Sequence, residues 1–295
     1  MNRTEFIKAS IISSIGMNMV TSLNSLSKLS DTLANSSKMP VLFLGHGSPM
    51  NGIEDNNFVR EFKKQGKELQ KPKAILVVSA HWETKGTKVT AMENPRTIHD
   101  FGGFPKELYE IQYPAPGSPK LAEDITKIKI PNHVITEDHE WGLDHGSWTV
   151  VKHLFPNADV PVLQLSLDRT LSPKQHYELA EQLKILRDKG ILIIGSGNMT
   201  HNLGKLAWSK INENYGFDWA EEANTQMVDW VKTSNHENLI NYKNQGAAFN
   251  LAIPTPEHYL PLLYILALSD KKDEIDIFNN QYLGGSLSMT SVKFF

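Results

Sequence analysis

The stretch VLFLGHGSPM, Val41 to Met50, decides how this chain is read. Val41–Gly45 is apolar enough for a buried strand, and it runs straight into His46, held between Gly45 and Gly47. ILVVSAHWE, Ile75 to Glu83, repeats the plan and delivers His81. ILIIGSGNMTHN, Ile191 to Asn202, repeats it again and ends near His201. Strand packing requires none of these imidazoles. Glycine permits close backbone approach and positive φ, needs that arise around ligands.

Outward from these runs, strand-like and helix-like segments alternate. Asn57–Gln70 predicts an amphipathic helix, Ala74–Ala80 a strand and Lys88–Met92 a further strand. Pro119–Lys127 reads as helix, His133–Thr136 as strand, Gly146–Phe155 as helix and Pro161–Leu167 as strand. Pro173–Lys189 predicts a charged helix that opens with proline, and Ile191–Ser196 a strand. Two helices follow, around Trp219–Thr233 and Glu257–Leu268, and the chain closes on an alternating strand, Ser286–Phe295. The order implies a single α/β domain whose central sheet, mostly parallel or mixed, is covered by helices on both faces. In such sheets ligands sit beyond the carboxyl ends of the strands. His46, His81 and His201 are therefore expected at one edge of one sheet.

Composition narrows the chemistry. With 295 residues, 40% of them hydrophobic and 21% charged, the chain can bury a sizeable core. The formal net charge of −3 comes with no basic stripe, which argues against nucleic acid as a partner. The absence of cysteine removes disulfides, zinc ribbons, iron–sulfur clusters and thiol nucleophiles at once. Any metal must use nitrogen and oxygen ligands, which suits Fe(II), Mn(II) or Zn(II). There is no P-loop, no dinucleotide-binding glycine motif after a strand and no G-x-S-x-G elbow.

Residues 1–38 read as an N-terminal extension rich in Ser, Asn, Met and Lys, ahead of a single domain expected over 39–295. Asn2-Arg3-Thr4-Glu5-Phe6 resembles a degraded twin-arginine export motif, with Thr4 in place of the second arginine. The weakly apolar patch Ala9–Val20 is interrupted by Ser13, Ser14, Gly16 and Asn18. The expectation is a cytoplasmic protein with a disordered or surface-docked extension, with periplasmic export as the alternative. No other stretch approaches the roughly 18 apolar residues of a membrane span.

Eleven histidines are present, and polar surroundings account for His133, His139, His153, His176 and His236 as surface or helix-face residues. One strand-end imidazole can simply bridge two backbone groups. Three such residues together point to a shared metal site. His258, in Pro254-Thr255-Pro256-Glu257-His258, is the natural fourth member, on a helix start stiffened by prolines. Glu257 beside it either ligates in its place or orients its ring. His145, in WGLDHGSW, lies between Trp141 and Trp148 and suits the wall of a pocket for a flat ring, with Asp144 as helix cap. TIHDFGGFP, Thr97 to Pro105, reads as an ordered loop suited to a substrate-side wall.

Taken together, FLGHGSPM, VVSAHW, TIHDFGGFP, YPAPGSP, WGLDHGSW, GSGNMTHNL, TPEHYLPLLY and GSLSM resemble the class III extradiol ring-cleavage dioxygenases, in their 4,5-DOPA extradiol dioxygenase branch. The resemblance runs from Val41 to Met289. It implies O2-dependent opening of a catechol at one divalent ion, Fe(II) or Zn(II), bound by His46, His81 and His258. His201 matches a fourth site histidine, acting either as a zinc ligand or as the acid/base. His145 is the second choice for proton transfer, with His99 and Trp148 as substrate contacts. A zinc hydrolase on the same ligands is the alternative chemistry.

Overall fold

The computed structural model describes residues 37–211 and 213–295. The expected N-terminal extension and its export motif lie outside the described residues, apart from Ser37 and Lys38.

Eight strands form the main sheet: β1 (Val41–Gly45), β2 (Ala74–Thr84), β3 (Thr87–Thr90), β4 (Ile135–Asp138), β5 (Val162–Asp168), β6 (Ile191–Gly197), β7 (Ile275–Phe278) and β8 (Ser291–Phe294). Their order across the sheet is β4-β3-β5-β2-β6-β1-β8-β7. The central four, β5-β2-β6-β1, are all parallel, while β8 runs antiparallel to β1 and β7 antiparallel to β8. At the other side β3 is antiparallel to β5 and parallel to β4. The single α/β domain with a mixed sheet is as expected.

Period-2 alternation divides the core. Val41, Phe43, Leu76 and Val78 face helices α2 (Pro119–Thr126), α4 (Pro173–Gln182), α5 (Asp218–Lys232) and α6 (Leu260–Leu268). Leu42, Leu44, Ile75 and Val77 face α1 (Asn57–Glu68) and α3 (His145–Leu154). Burying each such side chain stabilises the fold by roughly 1.5–3 kcal/mol, so a strand covered on both faces reads as a continuous apolar run.

Four expectations are corrected. Strand β2 continues past Ala80 to Thr84, so His81 lies within it and not beyond its end. The pairing of β2 with β5 shifts register between Val78 and Glu83, and this irregularity re-aims the residues it carries. The helix expected over Pro173–Lys189 stops at Gln182, where Leu183 and Lys184 donate back three residues in a tightened turn; a short helix, Ile185–Asp188, follows. The closing segment is two short strands: Leu287–Ser288 pairs with Tyr282–Leu283, and only β8 joins the sheet, buried throughout and not alternating. His176 is fully buried, because α4 turns the face holding His176, Leu179 and Ala180 inward; its Nδ1 lies 2.9 Å from the Tyr264 hydroxyl.

Candidate active site

The carboxyl ends of β1, β2 and β6 open onto one cluster of imidazoles. His46 directly follows β1, and its backbone N–H donates to Gly197 O at the end of β6 (3.1 Å). Gly47 turns the chain away at φ +63°, a conformation that disfavours any side chain. His258 precedes α6, and its carbonyl accepts the Asn198 N–H at 2.9 Å. That carbonyl lies where a Cβ on Gly197 would stand, so only glycine lets β6 and the His258 turn approach this closely. His201 follows β6 and is pinned by its N–H to Ala252 O (2.8 Å). His145 is the first residue of α3, capped by Asp144 through the Ser147 N–H (3.0 Å).

The ring centroids of His46, His81 and His258 form a nearly equilateral triangle with sides of 5.0, 5.3 and 4.9 Å. His201 stacks on His258 at 3.5 Å with an interplanar angle of 5°. His145 sits 3.9 Å from His81 and 5.7 Å from His46. Closest approach of donor atoms cuts the cluster differently: those of His46, His81 and His145 lie within 4.8 Å of one another, as do those of His201, Glu257 and His258. The five imidazoles thus form one continuous group.

Their hydrogen bonds fix the tautomers. Ser196 gives its only hydroxyl hydrogen to Gly146 O, so at His46 Nδ1, 3.0 Å away, it must accept. The Glu257 carboxylate, 3.1 Å from His258 Nδ1, also only accepts. Asp100 Oδ2 does the same for His145 Nδ1 at 3.0 Å and lies 3.4 Å from His81 Nδ1. His46, His145 and His258 are each held as the Nδ1–H form with Nε2 bare. His46 Nε2 and His81 Nε2 then face each other at 3.2 Å. At that distance His81 either donates an Nε2–H to the bare His46 Nε2 or, with both nitrogens bare, shares a cation with it. The spacing also matches two ligands each about 2.0–2.1 Å from one ion. The donor set therefore fits a divalent metal.

Electrostatics favour the neutral, ligating form. Burial first, then the neighbouring imidazoles, hold His46 and His258 well below the usual histidine range. Burial and His145 push His81 down to about 3, and burial pushes His201 down to about 4 despite the charge of Glu257. Neutral imidazole is the form that binds metal and accepts protons.

Other expected residues fall around this cluster. Glu257 orients His258 and accepts from Thr255 Oγ1 at 2.8 Å, and both residues sit in the turn before α6, which begins only at Leu260. The His99 ring is flanked by Phe101, Tyr109 and Trp148, with Nε2 3.0 Å from Ile111 O. Trp148, expected as a substrate contact, is fully buried, and its indole N–H donates to Ile98 O (2.9 Å) behind the loop. Trp141 does not flank His145 as expected but stacks on Trp82 at 5.7 Å.

Sequence reasoning missed Asp100, Ser196 and a fully buried network in which Asp144 accepts from Ser79 Oγ (2.7 Å) and Gln164 Nε2 (2.6 Å). A carboxylate next to His99 in HDFGG was the available signal for Asp100. Nothing local marks Gln164, which reaches Asp144 from β5.

Residues 36–288 match the family described as the catalytic LigB subunit of aromatic ring-opening dioxygenase. A protein of Escherichia coli (strain K12) named 4,5-DOPA dioxygenase extradiol is 46% identical, over 89% of this chain and 97% of its own. A Beta vulgaris protein of the same name is 36% identical, over 85% of this chain and 95% of its own. The crystal structure of an uncharacterized protein from Escherichia coli K12, 42% identical, superposes with a TM-score of 0.73 over 87% of this chain and 100% of that one. With the histidine cluster at the carboxyl edge of the sheet, these likenesses show that the chain belongs to the LigB family of extradiol, aromatic ring-opening dioxygenases.

Proposed function

We propose that this enzyme opens a catechol, L-DOPA or a close relative, by 4,5-cleavage with O2 at one divalent ion, Fe(II) or Zn(II), held by His46, His81 and His258. The observation that carries the ligand set is the near-equilateral triangle of their rings. His46 and His258 have their Nδ1 atoms tied to Ser196 and Glu257, which leaves both Nε2 atoms for the ion. The names of the bacterial and plant relatives support the substrate class. An ion bound there would bring both catechol oxygens and O2 together on its open side.

The remaining residues orient the ring and move protons. His201 takes the catechol proton and later returns one: its ring is neutral and held by stacking on His258. His145 is the second proton-transfer residue, with Nε2 turned from Asp100. His99 spends Nε2 on Ile111 O and offers Nδ1 to the polar tail of the substrate. Trp148 supports that wall from behind. The catalytic unit in this reading is residues 39–295 and works in the cytoplasm, without nucleic acid; among the described residues no helix is long and apolar enough to cross a membrane.

The test is anaerobic reconstitution with Fe(II) followed by oxygen-electrode assays against a catechol panel. The expected result is O2 uptake with appearance of a yellow ring-opened semialdehyde. No uptake with any catechol, together with hydrolysis of an ester or amide, would replace this reading with a metal-activated-water hydrolase.

A further inference from the structure

We propose that Asp100 is a positioning residue that sets the tautomer and direction of His145, so that the loop forming the substrate-side wall also governs proton transfer. The inference rests on the ring-opening reading for what His145 does, and on geometry alone for how it is held. Asp100 grips His145 twice: Oδ1 accepts the backbone N–H at 2.8 Å, and Oδ2 accepts Nδ1–H at 3.0 Å. Phe101, the next residue, meets the His145 ring edge to face at 5.6 Å and 85°. One carboxylate and one phenyl ring thus constrain both the in-plane rotation and the tilt of the imidazole. With Nδ1 carrying the hydrogen, Nε2 is bare and turned from Asp100.

The carboxylate is itself well anchored. Residues Arg96–Thr97 pair in parallel with Gly142–Leu143, just ahead of His145, and Ile98 N–H donates to Leu143 O at 2.7 Å. Trp148, one turn into α3, fixes Ile98 from the other side. Beyond Phe101 the loop is different in kind: Gly102 and Gly103 are exposed, and Gly103 has φ +79° with open space around it. The loop therefore has a half bolted to the start of α3 and a half free to adapt to a ligand, and Asp100 and Phe101 stand at the junction. Asp100 Oδ2 also lies near His81 Nδ1, so the same carboxylate faces a proposed metal ligand and a proposed proton-transfer residue.

Asp100→Asn separates this role from mere packing. The side chain keeps its shape, but the backbone N–H of His145 claims the amide oxygen and leaves an NH2 group facing Nδ1. Nδ1 must then accept, and the ring hydrogen moves to Nε2. Long-range 1H–15N spectra of the Zn(II)-loaded full chain, with 15N-labelled histidine, read the tautomer directly. The expected result is Nδ1–H at His145 in the wild type and Nε2–H in Asp100→Asn. In the Fe(II) form, with kcat referred to bound metal because Asp100 also faces His81, kcat should fall roughly 10–100-fold, the usual cost of losing such an outer partner, with KM unchanged. An Nε2–H tautomer in the wild type, or an unchanged tautomer and kcat in Asp100→Asn, would overturn the assignment. A tautomer shift in a protein whose wild type opens no catechol would support the positioning contact and count against the ring-opening reading alone.

Discussion

Two sets of buried imidazoles occupy this molecule and serve different ends. His176, on the inward face of α4, is fully buried and pushed down to about 4, chiefly by desolvation. His201, in the cluster at the carboxyl edge of the sheet, is pushed to the same value by the same cause. Burial and a low pKa therefore do not distinguish a structural histidine from one in a site. Convergence does. His176 lies 2.9 Å from the Tyr264 hydroxyl and near Asp168, within the hydrophobic core and with no ring contact to another imidazole among the described residues. His46, His145 and His258 each point Nδ1 at an acceptor and leave Nε2 bare, and His81 lies among them with Nε2 3.2 Å from that of His46. A lone imidazole of the first kind fills space and satisfies one hydroxyl; a group of the second kind gathers neutral nitrogens that can share a cation.

The largest effect that sharpens this contrast is expected at His201. His201→Phe keeps the stacked ring but removes the proton-transfer nitrogen, so turnover should fall by roughly 10²–10⁴-fold while metal and catechol still bind. Metal analysis paired with single-turnover rates in the iron form checks it. Metal loss equal to that of His46→Ala would make His201 a ligand instead.

Next is Gly197→Ala, which places a Cβ against the His258 carbonyl. The expected cost is about 1–3 kcal/mol of stability from overpacking, read as a lower denaturant midpoint, together with weaker metal binding because His258 must move. Unchanged metal affinity would show that the close approach of β6 serves packing alone.

The pH dependence of His176 gives a smaller, separable effect. Its folded pKa of about 4 lies below the ordinary 6.5. Below pH 6.5 the unfolded chain takes up a proton that the folded chain refuses until about pH 4. His176 thus leaves stability intact above pH 6.5 and lowers it progressively as pH falls toward 4, at up to about 1.4 kcal/mol per pH unit. Denaturation of wild type and His176→Phe across that window should diverge by this slope, with metal content and turnover at pH 7 the same in both. Parallel curves would show that His176 is not held neutral.

The smallest expected change is at His99. His99→Ala removes one hydrogen bond to the substrate tail, worth about 0.5–1.5 kcal/mol, so KM should rise several-fold at constant kcat. An unchanged KM would remove His99 from the substrate wall.

Much of this is legible in the sequence. Val41–Gly45, Ile75–Val78 and Ile191–Ile194 announce central parallel strands because both faces are buried, and the glycines around His46 and after Ile194 mark close approach. What was not legible depends on contacts between distant segments. The final segment misled because its buried Ser288 and Thr290 are satisfied by Asn224 and Asn280, a polar network that hydrophobic periodicity does not register. His176 misled because α4 mixes polar and apolar residues on the face it buries. Asp100 was invisible as a partner of His145 because 45 residues separate them, joined only by packing of the loop on α3.

The central claim is that convergent bare Nε2 atoms, and not burial, make the site. Metal stoichiometry tests it most directly, measured by elemental analysis on wild type, His46→Ala, His81→Ala and His176→Phe purified in parallel. The account predicts one ion per chain in wild type and in His176→Phe, and near-complete loss in the other two. Wild-type occupancy in both His46→Ala and His81→Ala would contradict it.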